Sequence, residues 1–337
     1  MKIYNQLSEF KKLDNAVVTI GTFDGVHFGH QKIVKRLCEL AKAKGGESVI
    51  LTFFPHPRMI IDPENQDLKL INTISEKAEI LERLGVDHLI ITPFTRDFSN
   101  LSPGEYIKNI LIETIGTKHI IVGYDHRFGK DRKGGMAELV DFSETFNYTI
   151  EEIPEQDIND VAVSSTKIRN AVLEGDVALA ATYLGYNFSI NGPVIKGDKI
   201  GRTIGFPTAN IFVEETYKLI PSDGIYAVTV EMDLEVKTQK SKVEISDSSL
   251  NGELSTLNSK LITYRGMAYI GQRPTINGMT RNIEVNIFDF DREIYGQNIK
   301  MNFLKFLRHD VKFNGLEELT TQLHQDKLDA LAFFEQC

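Results

Sequence analysis

The sequence predicts an α/β domain built on a parallel sheet, followed by an all-β barrel with a C-terminal helix. Three observations carry this expectation. Residues 16–160 alternate short apolar runs with helical patterns. From Phe188 onward, runs of β-branched and aromatic residues separated by turn residues dominate. A final amphipathic pattern covers about Leu316 to Phe334. A chain of 337 residues accommodates about two domains. The change of character places their boundary between residues 1–185 and 186–337.

In the first domain, strands are expected at Ala16–Ile20, Ser48–Phe54, His88–Ile91, His119–Val122 and Tyr148–Ile153. Helices are expected between them at Gln31–Lys44, Ser75–Leu84, Gly104–Ile115 and Met136–Phe146. That alternation is the signature of βαβ units. Residues 164–184 form one further helical segment, opened by the capping hydroxyls of Ser164-Ser165-Thr166. In the second domain, strands are expected at Ile225–Val230, Ala268–Ile270 and Ile283–Phe290. Turns are expected at Asn191-Gly192-Pro193, Ser222-Asp223-Gly224 and Asn277-Gly278. Residues 231–260 carry six serines and ten charges, with no aromatic and no proline. They read as a long hairpin loop, an insertion without a catalytic role.

Composition narrows the function classes. The chain is 42% hydrophobic and 25% charged, as in ordinary globular proteins. No apolar run is long enough to span a bilayer, and the N-terminus, Met1-Lys2-Ile3-Tyr4-Asn5-Gln6, lacks the apolar region of a signal peptide. Cys38 reads as a helix-face core residue and Cys337 as a free terminal thiol, too few for a disulfide framework. A cytoplasmic protein with no membrane partner is therefore expected. The net charge of −9 argues against nucleic-acid binding. Any polyphosphate must be held locally, by glycine loops, helix ends and Mg²⁺. Neither G-x-G-x-x-G nor G-x-x-x-x-G-K-[ST] occurs, which speaks against a dinucleotide-dependent dehydrogenase and a P-loop kinase.

The chemistry-bearing residues fall at strand ends. Gly21-Thr22-Phe23-Asp24-Gly25-Val26-His27-Phe28-Gly29-His30 joins the first apolar run to the first helix. Unpaired N–H groups and the helix dipole attract phosphate at such a junction. His27 and His30 can donate to its oxygens as charge develops. The alternative is two surface histidines at a helix start. Thr52-Phe53-Phe54-Pro55-His56-Pro57 is rigid and aromatic, suited to walling a planar ring, or simply a turn that ends a strand. Gly123-Tyr124-Asp125-His126-Arg127-Phe128-Gly129 mixes acid, base and aromatic within one loop. Ser164, Ser165, Thr166, Lys167 and Arg169 form a second anion site, or simply a capped helix. Since ligands lie beyond the carboxyl ends of parallel strands, His27, His56 and Asp125 share one edge.

In the second domain, glycines punctuate the stretch from Gly192 through Lys199, Gly201 and Thr203 to Gly205, so backbone N–H groups can approach phosphates. Thr208 and Asn210 follow, alternating so that both oxygens share a face and suit Mg²⁺. Glu284 is a lone acid in an apolar strand: either a structural carboxylate or a base for a hydroxyl nucleophile.

Together these motifs resemble the bifunctional prokaryotic FAD synthetase family, in which a riboflavin kinase is joined to an FMN adenylyltransferase. The resemblance covers nearly the whole chain: G-x-F-D-G-x-H-x-G-H at Gly21–His30, T-F-x-P-H-P at Thr52–Pro57, G-x-D-x-R-F-G at Gly123–Gly129 and S-S-T-x-I-R at Ser164–Arg169. It continues with G-R-x-x-G-F-P-T-A-N at Gly201–Asn210, I-G-x-R-P-T at Ile270–Thr275, and the strand of Glu284. It implies a Rossmann-like nucleotidyltransferase domain followed by a riboflavin kinase barrel. It implies His27, His30 and Glu284 as catalytic residues. It implies ATP and phosphate contacts at Gly21, Phe23, Asp24, Gly29, Ser164, Ser165, Thr166, Arg169, Gly192, Lys199, Gly201, Thr203 and Gly205. Phe54, His56, Pro57, Asp125, Arg127 and Phe128 would border FMN, and Thr208 and Asn210 would hold Mg²⁺ with ATP or ADP. The implied substrates and products are riboflavin, FMN, FAD, ATP, ADP and pyrophosphate. Three residues depart from the pattern: Tyr269 replaces a usual Asn, His126 a common Phe, and Asn286 a frequent His. The alternative reading is a non-catalytic flavin- or nucleotide-binding regulatory protein, which loss of His27, His30 or Glu284 would have favoured.

Overall fold

The computed structural model describes residues 1–62, 64, 67–154, 163–197, 200–235, 259–276 and 279–336. Strands β1 (Lys2–Tyr4), β2 (Ala16–Ile20), β3 (Glu47–Phe53), β4 (His88–Thr92), β5 (Thr117–Gly123) and β6 (Thr149–Ile153) form one parallel sheet in the order β1-β4-β3-β2-β5-β6. Every residue of β2 is buried. Its alternation feeds two layers: Ala16, Val18 and Ile20 join the cluster around Tyr106, Leu111 and Leu139, while Val17 joins the cluster around Val34, Leu37 and Leu81. A strand buried on both faces is what helices packed on either side of a parallel sheet produce. The chain winds outward through β3 and β4 on one side of β2, then through β5 and β6 on the other. The crevice beyond the carboxyl ends of β2 and β5 is thus the topological switch point, where such sheets bind ligands.

The helix Phe28–Lys44 buries Ile33, Val34, Leu37 and Ala41 and ends at Gly45 in the left-handed conformation. The helix Met136–Phe146 has the expected bounds. Elsewhere the structure departs from the sequence reading. Residues Tyr106–Ile115 wind as a π-helix, preceded by the Ser102-capped turn Pro103–Glu105. Residues 164–184 divide into helices Ser165–Glu174 and Val177–Leu184, because Gly175 takes φ +86° between them. Strand β1 was not expected; three residues carry no readable period.

The second unit is a closed antiparallel barrel of β7 (Ser189–Ile195), β8 (Ala209–Ile211), β9 (Gly224–Glu235), β10 (Ser259–Ile276), β11 (Met279–Ile287) and β12 (Asn298–Arg308), in the order β10-β11-β8-β7-β12-β9. The helix Leu316–Glu335 packs Ala330 and Phe334 against Phe206, Ala227, Met267 and Phe288. Arg308 on β12 holds Asp326 of that helix through two bonds of 2.7 and 2.6 Å. Two expectations need correction here. Asn191-Gly192-Pro193 is not a turn but the middle of β7, where a Cβ on Gly192 would lie 2.0 Å from the Phe212 carbonyl oxygen. Of the hairpin loop expected over 231–260, residues 231–235 and 259–260 are strand instead, β9 and β10 pairing out to Glu235 and Ser259. Residues 236–258, the Asn277-Gly278 turn and Cys337 lie outside the described residues.

Packing groups Met1–Ala171, Leu179–Tyr186 and Glu215–Leu219 in the first unit, and Val172–Ala178, Asn187–Glu214 and Ile220–Cys337 in the second. No helix of the described residues is long and apolar enough to cross a membrane.

Candidate active sites

The turn after β2 is held in an uncommon backbone conformation. Phe23 (φ 46°) and Val26 (φ 35°), both non-glycine, are left-handed, as is Gly25 (φ 85°). Left-handed non-glycine residues cost about 1–3 kcal/mol each and persist where the surroundings over-determine them. The over-determination is visible. A Cβ on Gly25 would lie 2.9 Å from Ile71 Cδ1. Tyr186 Oη donates to the Gly25 carbonyl at 2.5 Å, and Gln31 Nε2 donates to the Val26 carbonyl at 2.9 Å.

The result is a stacked pair of imidazoles at the helix start. The His27 and His30 rings lie 3.7 Å apart at 18°, with the Phe23 ring 5.1 Å from His30. Burial pushes the His27 imidazole down to about 4, against the opposing pull of Asp24 and Asp125. Burial likewise holds His30 well below the ordinary histidine value, with His27 and Lys77 adding to the effect. Both rings are therefore neutral near pH 7, each with one N–H to donate. The Nδ1 atoms of both are buried without a hydrogen-bond partner among the described residues. Buried polar atoms are normally satisfied, so a pair of orphans beside a helix N-terminus fits an anionic ligand.

Asp24, expected to contact phosphate, is instead buried and fully engaged: Oδ1 accepts the Ile71 N–H at 2.9 Å and Oδ2 accepts Arg169 Nη2 at 2.8 Å. It holds Arg169, whose Nε donates to the Lys69 carbonyl at 2.9 Å. Ser165 Oγ donates to the Asp24 carbonyl at 2.9 Å, fastening the Ser165–Glu174 helix to the turn. Ser164 Oγ accepts the Lys167 N–H at 3.3 Å, and Ser164 and Thr166 are exposed at that helix start. Gly21 lies against the Phe23 ring, and Gly29 is buried in the first turn of the helix Phe28–Lys44.

Of the residues expected around the flavin, His56 caps the short helix Pro57–Ile61, its Nδ1 accepting the Arg58 N–H at 3.2 Å, and burial pushes it down to about 4. Pro57 occupies the first position of that helix. Phe54 packs its ring against Tyr217 with centroids 4.8 Å apart. Asp125 acts electrostatically on His27 and is exposed, as is Arg127. Phe128 is buried in the core against Tyr106, centroids 5.2 Å apart.

Sequence reasoning missed Lys77. It is buried in the helix Ile74–Arg83, where an apolar residue is the norm, and its Nζ donates to the Thr22 carbonyl at 2.6 Å. Burial lowers it to about 8. The signal was available: Glu76 and Lys77 interrupt the apolar face that Ala78, Ile80 and Leu81 define.

In the barrel, β11 pairs with β8 so that Glu284 faces Asn210. Thr208 Oγ1 donates to Glu284 Oε2 at 2.8 Å, and Asn282 Nδ2 donates to Oε1 at 2.5 Å. Asn286 Nδ2 donates to the Pro207 carbonyl at 2.7 Å, tying the strand of Glu284 to the segment bearing Thr208. These residues open onto a cavity of about 300 Å³ with Glu284, Asn210, Thr208 and Tyr269 on its wall and Phe206, Met267, Phe313 and Leu323 as its apolar lining. Tyr269 Oη donates to Asp310 at 3.0 Å there. A second cavity of about 240 Å³ shares Thr208 and is lined by Arg202, Pro207, Phe290, Arg292 and Tyr295. Gly201 and Thr203 belong to the short helix Ile200–Thr203, and a Cβ on Gly201 would lie 2.2 Å from the Phe206 carbonyl oxygen. Gly205 is left-handed at φ +84°. Gly192, inside β7, is outside this loop, and Lys199 lies outside the described residues.

Comparison with known proteins finds a match for each half of the chain. The FAD synthetase family model matches residues 9–167 and the riboflavin kinase family model residues 184–334. Bifunctional riboflavin kinase/FMN adenylyltransferases are similar over nearly the full length. The protein of Listeria monocytogenes is 39% identical over 95% of this chain and 93% of its own. That of Bacillus subtilis is 36% identical over 95% and 92%. A crystal structure from Streptococcus pneumoniae, described as a macrolide-efflux protein, superposes with a TM-score of 0.79 at 30% identity over 97% of both chains. The chain belongs to the bifunctional riboflavin kinase/FMN adenylyltransferase family and is an enzyme of ATP-dependent flavin cofactor synthesis.

Proposed function

We propose that FMN is adenylylated at the His27/His30 turn and that riboflavin is phosphorylated at the Glu284 cavity. The observation that carries the first assignment is the pair of buried, neutral imidazoles with orphaned Nδ1 atoms at a helix N-terminus. The FMN phosphate attacks the α-phosphorus of ATP, and pyrophosphate leaves. His27 and His30 donate to phosphate oxygens, Arg169 stands in its Asp24-held pose to pair with phosphate, and Ser164 and Thr166 offer hydroxyls from the adjoining helix start. Because both imidazoles are neutral, positive charge near the turn comes from Arg169 and the buried Lys77. Phe54 and His56 border the flavin.

In the barrel, the ribityl hydroxyl of riboflavin attacks the γ-phosphorus of ATP with Glu284 as base. The mostly apolar 300 Å³ cavity suits the flavin ring, and the arginine-bearing cavity across Thr208 suits the nucleotide. Thr208 and Asn210 supply neutral oxygens beside one carboxylate. No cluster of three or more acidic, histidine or cysteine ligands exists among the described residues. That donor set fits Mg²⁺ shared with nucleotide phosphates. When bound, Mg²⁺ would neutralise charge on the transferred phosphoryl group; orientation and proton removal fall to Thr208, Asn210 and Glu284.

The assignment is tested by incubating the purified chain, alongside His27→Ala and Glu284→Gln, with ATP and Mg²⁺ and either riboflavin or supplied FMN, and resolving FMN and FAD by chromatography. Each variant should lose one product-forming step and keep the other. Loss of both steps in either variant would sink the division of labour.

A further inference from the structure

Residues Glu215–Leu219 come from the sequence matched by the riboflavin kinase family model, yet they pack within the first unit. They lie along Lys69–Ile71 as a short strap. Leu70 forms a parallel bridge with Lys218, its N–H donating to the Tyr217 carbonyl at 2.7 Å and its carbonyl accepting the Leu219 N–H at 2.8 Å. Lys218 anchors the strap. Its side chain is 1% exposed, and Nζ donates to the Ile71 carbonyl at 2.7 Å and to Glu76 Oε2 at 2.5 Å.

The opposite edge of Lys69–Ile71 faces the phosphate turn. The peptide joining Lys69 to Leu70 receives Arg169 Nε on its carbonyl while its N–H reaches Tyr217. The peptide joining Leu70 to Ile71 gives its N–H to Asp24 Oδ1 while its carbonyl receives Leu219. Two consecutive peptide planes are each bonded to the strap on one side and to a site residue on the other. A peptide unit is planar and stiff, so fixing one edge fixes the direction of the other. Asp24 and Arg169 then complete the frame by bonding to each other.

We propose that Lys218 is a positioning residue for adenylyl transfer: it anchors a strap that, through these two peptide planes, sets the pose of Asp24 and Arg169. The anchor is stiff because both charges are buried, and removing either leaves the other uncompensated. Among the described residues Glu76 is paired with Lys218, and its Oε1 is already buried without a hydrogen-bond partner. The inference rests on the reading of Arg169 as a phosphate-pairing group.

The test uses the full chain. Lys218→Met removes the anchor; Glu76→Gln with Lys218→Met also removes the stranded carboxylate, so that no unpaired charge is left buried. FMN adenylylation is measured with varied FMN and varied ATP, and riboflavin phosphorylation is measured on the same samples. Misplacement of a group by about 1 Å can cost roughly a hundredfold. The double variant should therefore lose about tenfold to a hundredfold in kcat for FAD formation. Its KM for FMN and its riboflavin phosphorylation should stay near the parent's. A parental kcat in the double variant overturns the proposal. So does loss of the first unit's own melting transition in both variants, which would make the strap a folding element only. Arg169→Met, measured alongside, separates the two readings. A low rate there with a parental rate in the double variant refutes the strap alone. A parental rate for Arg169→Met refutes the site reading and the strap with it.

Discussion

Thr208 Oγ1 donates to Glu284 Oε2 at 2.8 Å, so the hydroxyl expected to face a metal and the carboxylate expected to take a proton are joined directly. With its hydrogen directed at the carboxylate, the hydroxyl keeps lone pairs for a cation. The carboxylate is meanwhile oriented from both sides, by Thr208 and by Asn282. Strand pairing does the rest, because β8 and β11 are registered with Asn210 opposite Glu284.

Glu284→Gln keeps the volume of the side chain and its place between Thr208 and Asn282 but cannot accept a proton. Riboflavin phosphorylation should fall by about 10²–10⁴-fold, the usual size of a lost general base. Supplied FMN should still become FAD. Steady-state assays of the two steps decide this, and near-parental phosphorylation would leave Glu284 a structural carboxylate.

His30→Ala removes one ring of the stacked pair and one phosphate donor. FAD formation should drop by about 10²–10³-fold, the cost of losing a transition-state donor. Riboflavin phosphorylation in the same sample should persist. Parallel loss of both activities would indicate disruption of the fold rather than of the site.

Lys77 is held near 8 by burial, so its charge disappears as pH rises through that value. FAD formation should decline on the alkaline side with an apparent pKa near 8. Lys77→Arg, whose guanidinium stays charged, should remove that alkaline limb. A limb unchanged in Lys77→Arg would assign it to another group.

His27 and His56 titrate near 4 in the folded protein, below the ordinary 6.5, because burial disfavours the charged ring. Between those values the unfolded chain binds more protons, so stability present above 6.5 is lost as pH falls toward 4. The melting temperature of the first unit should fall on acidification through this window. His56→Asn keeps a side-chain cap without a titrating ring, and should flatten the slope. Calorimetry across the window checks this; an unchanged slope would show that His56 does not contribute.

What the sequence determined by itself is what local periodicity and local motifs encode. Strand Ala16–Ile20 and helix Met136–Phe146 were legible to the residue, because a short apolar run and a 3.6-residue period report burial without knowledge of partners. The His27/His30 turn, Thr208, Asn210 and Glu284 could be named as candidates, because each motif is short and its residue types are constrained; that Thr208 bonds Glu284 came from the packing of the barrel. Tertiary structure alone decided the rest. It sent Phe128 into the core, bonded Asp24 to Arg169, and continued β7 through Asn191-Gly192-Pro193. It buried Lys77 beneath the turn, and it brought Lys218 to Glu76 across 142 residues of chain. Each of these outcomes depends on desolvation and on pairing between groups distant in sequence, energies that no local pattern carries.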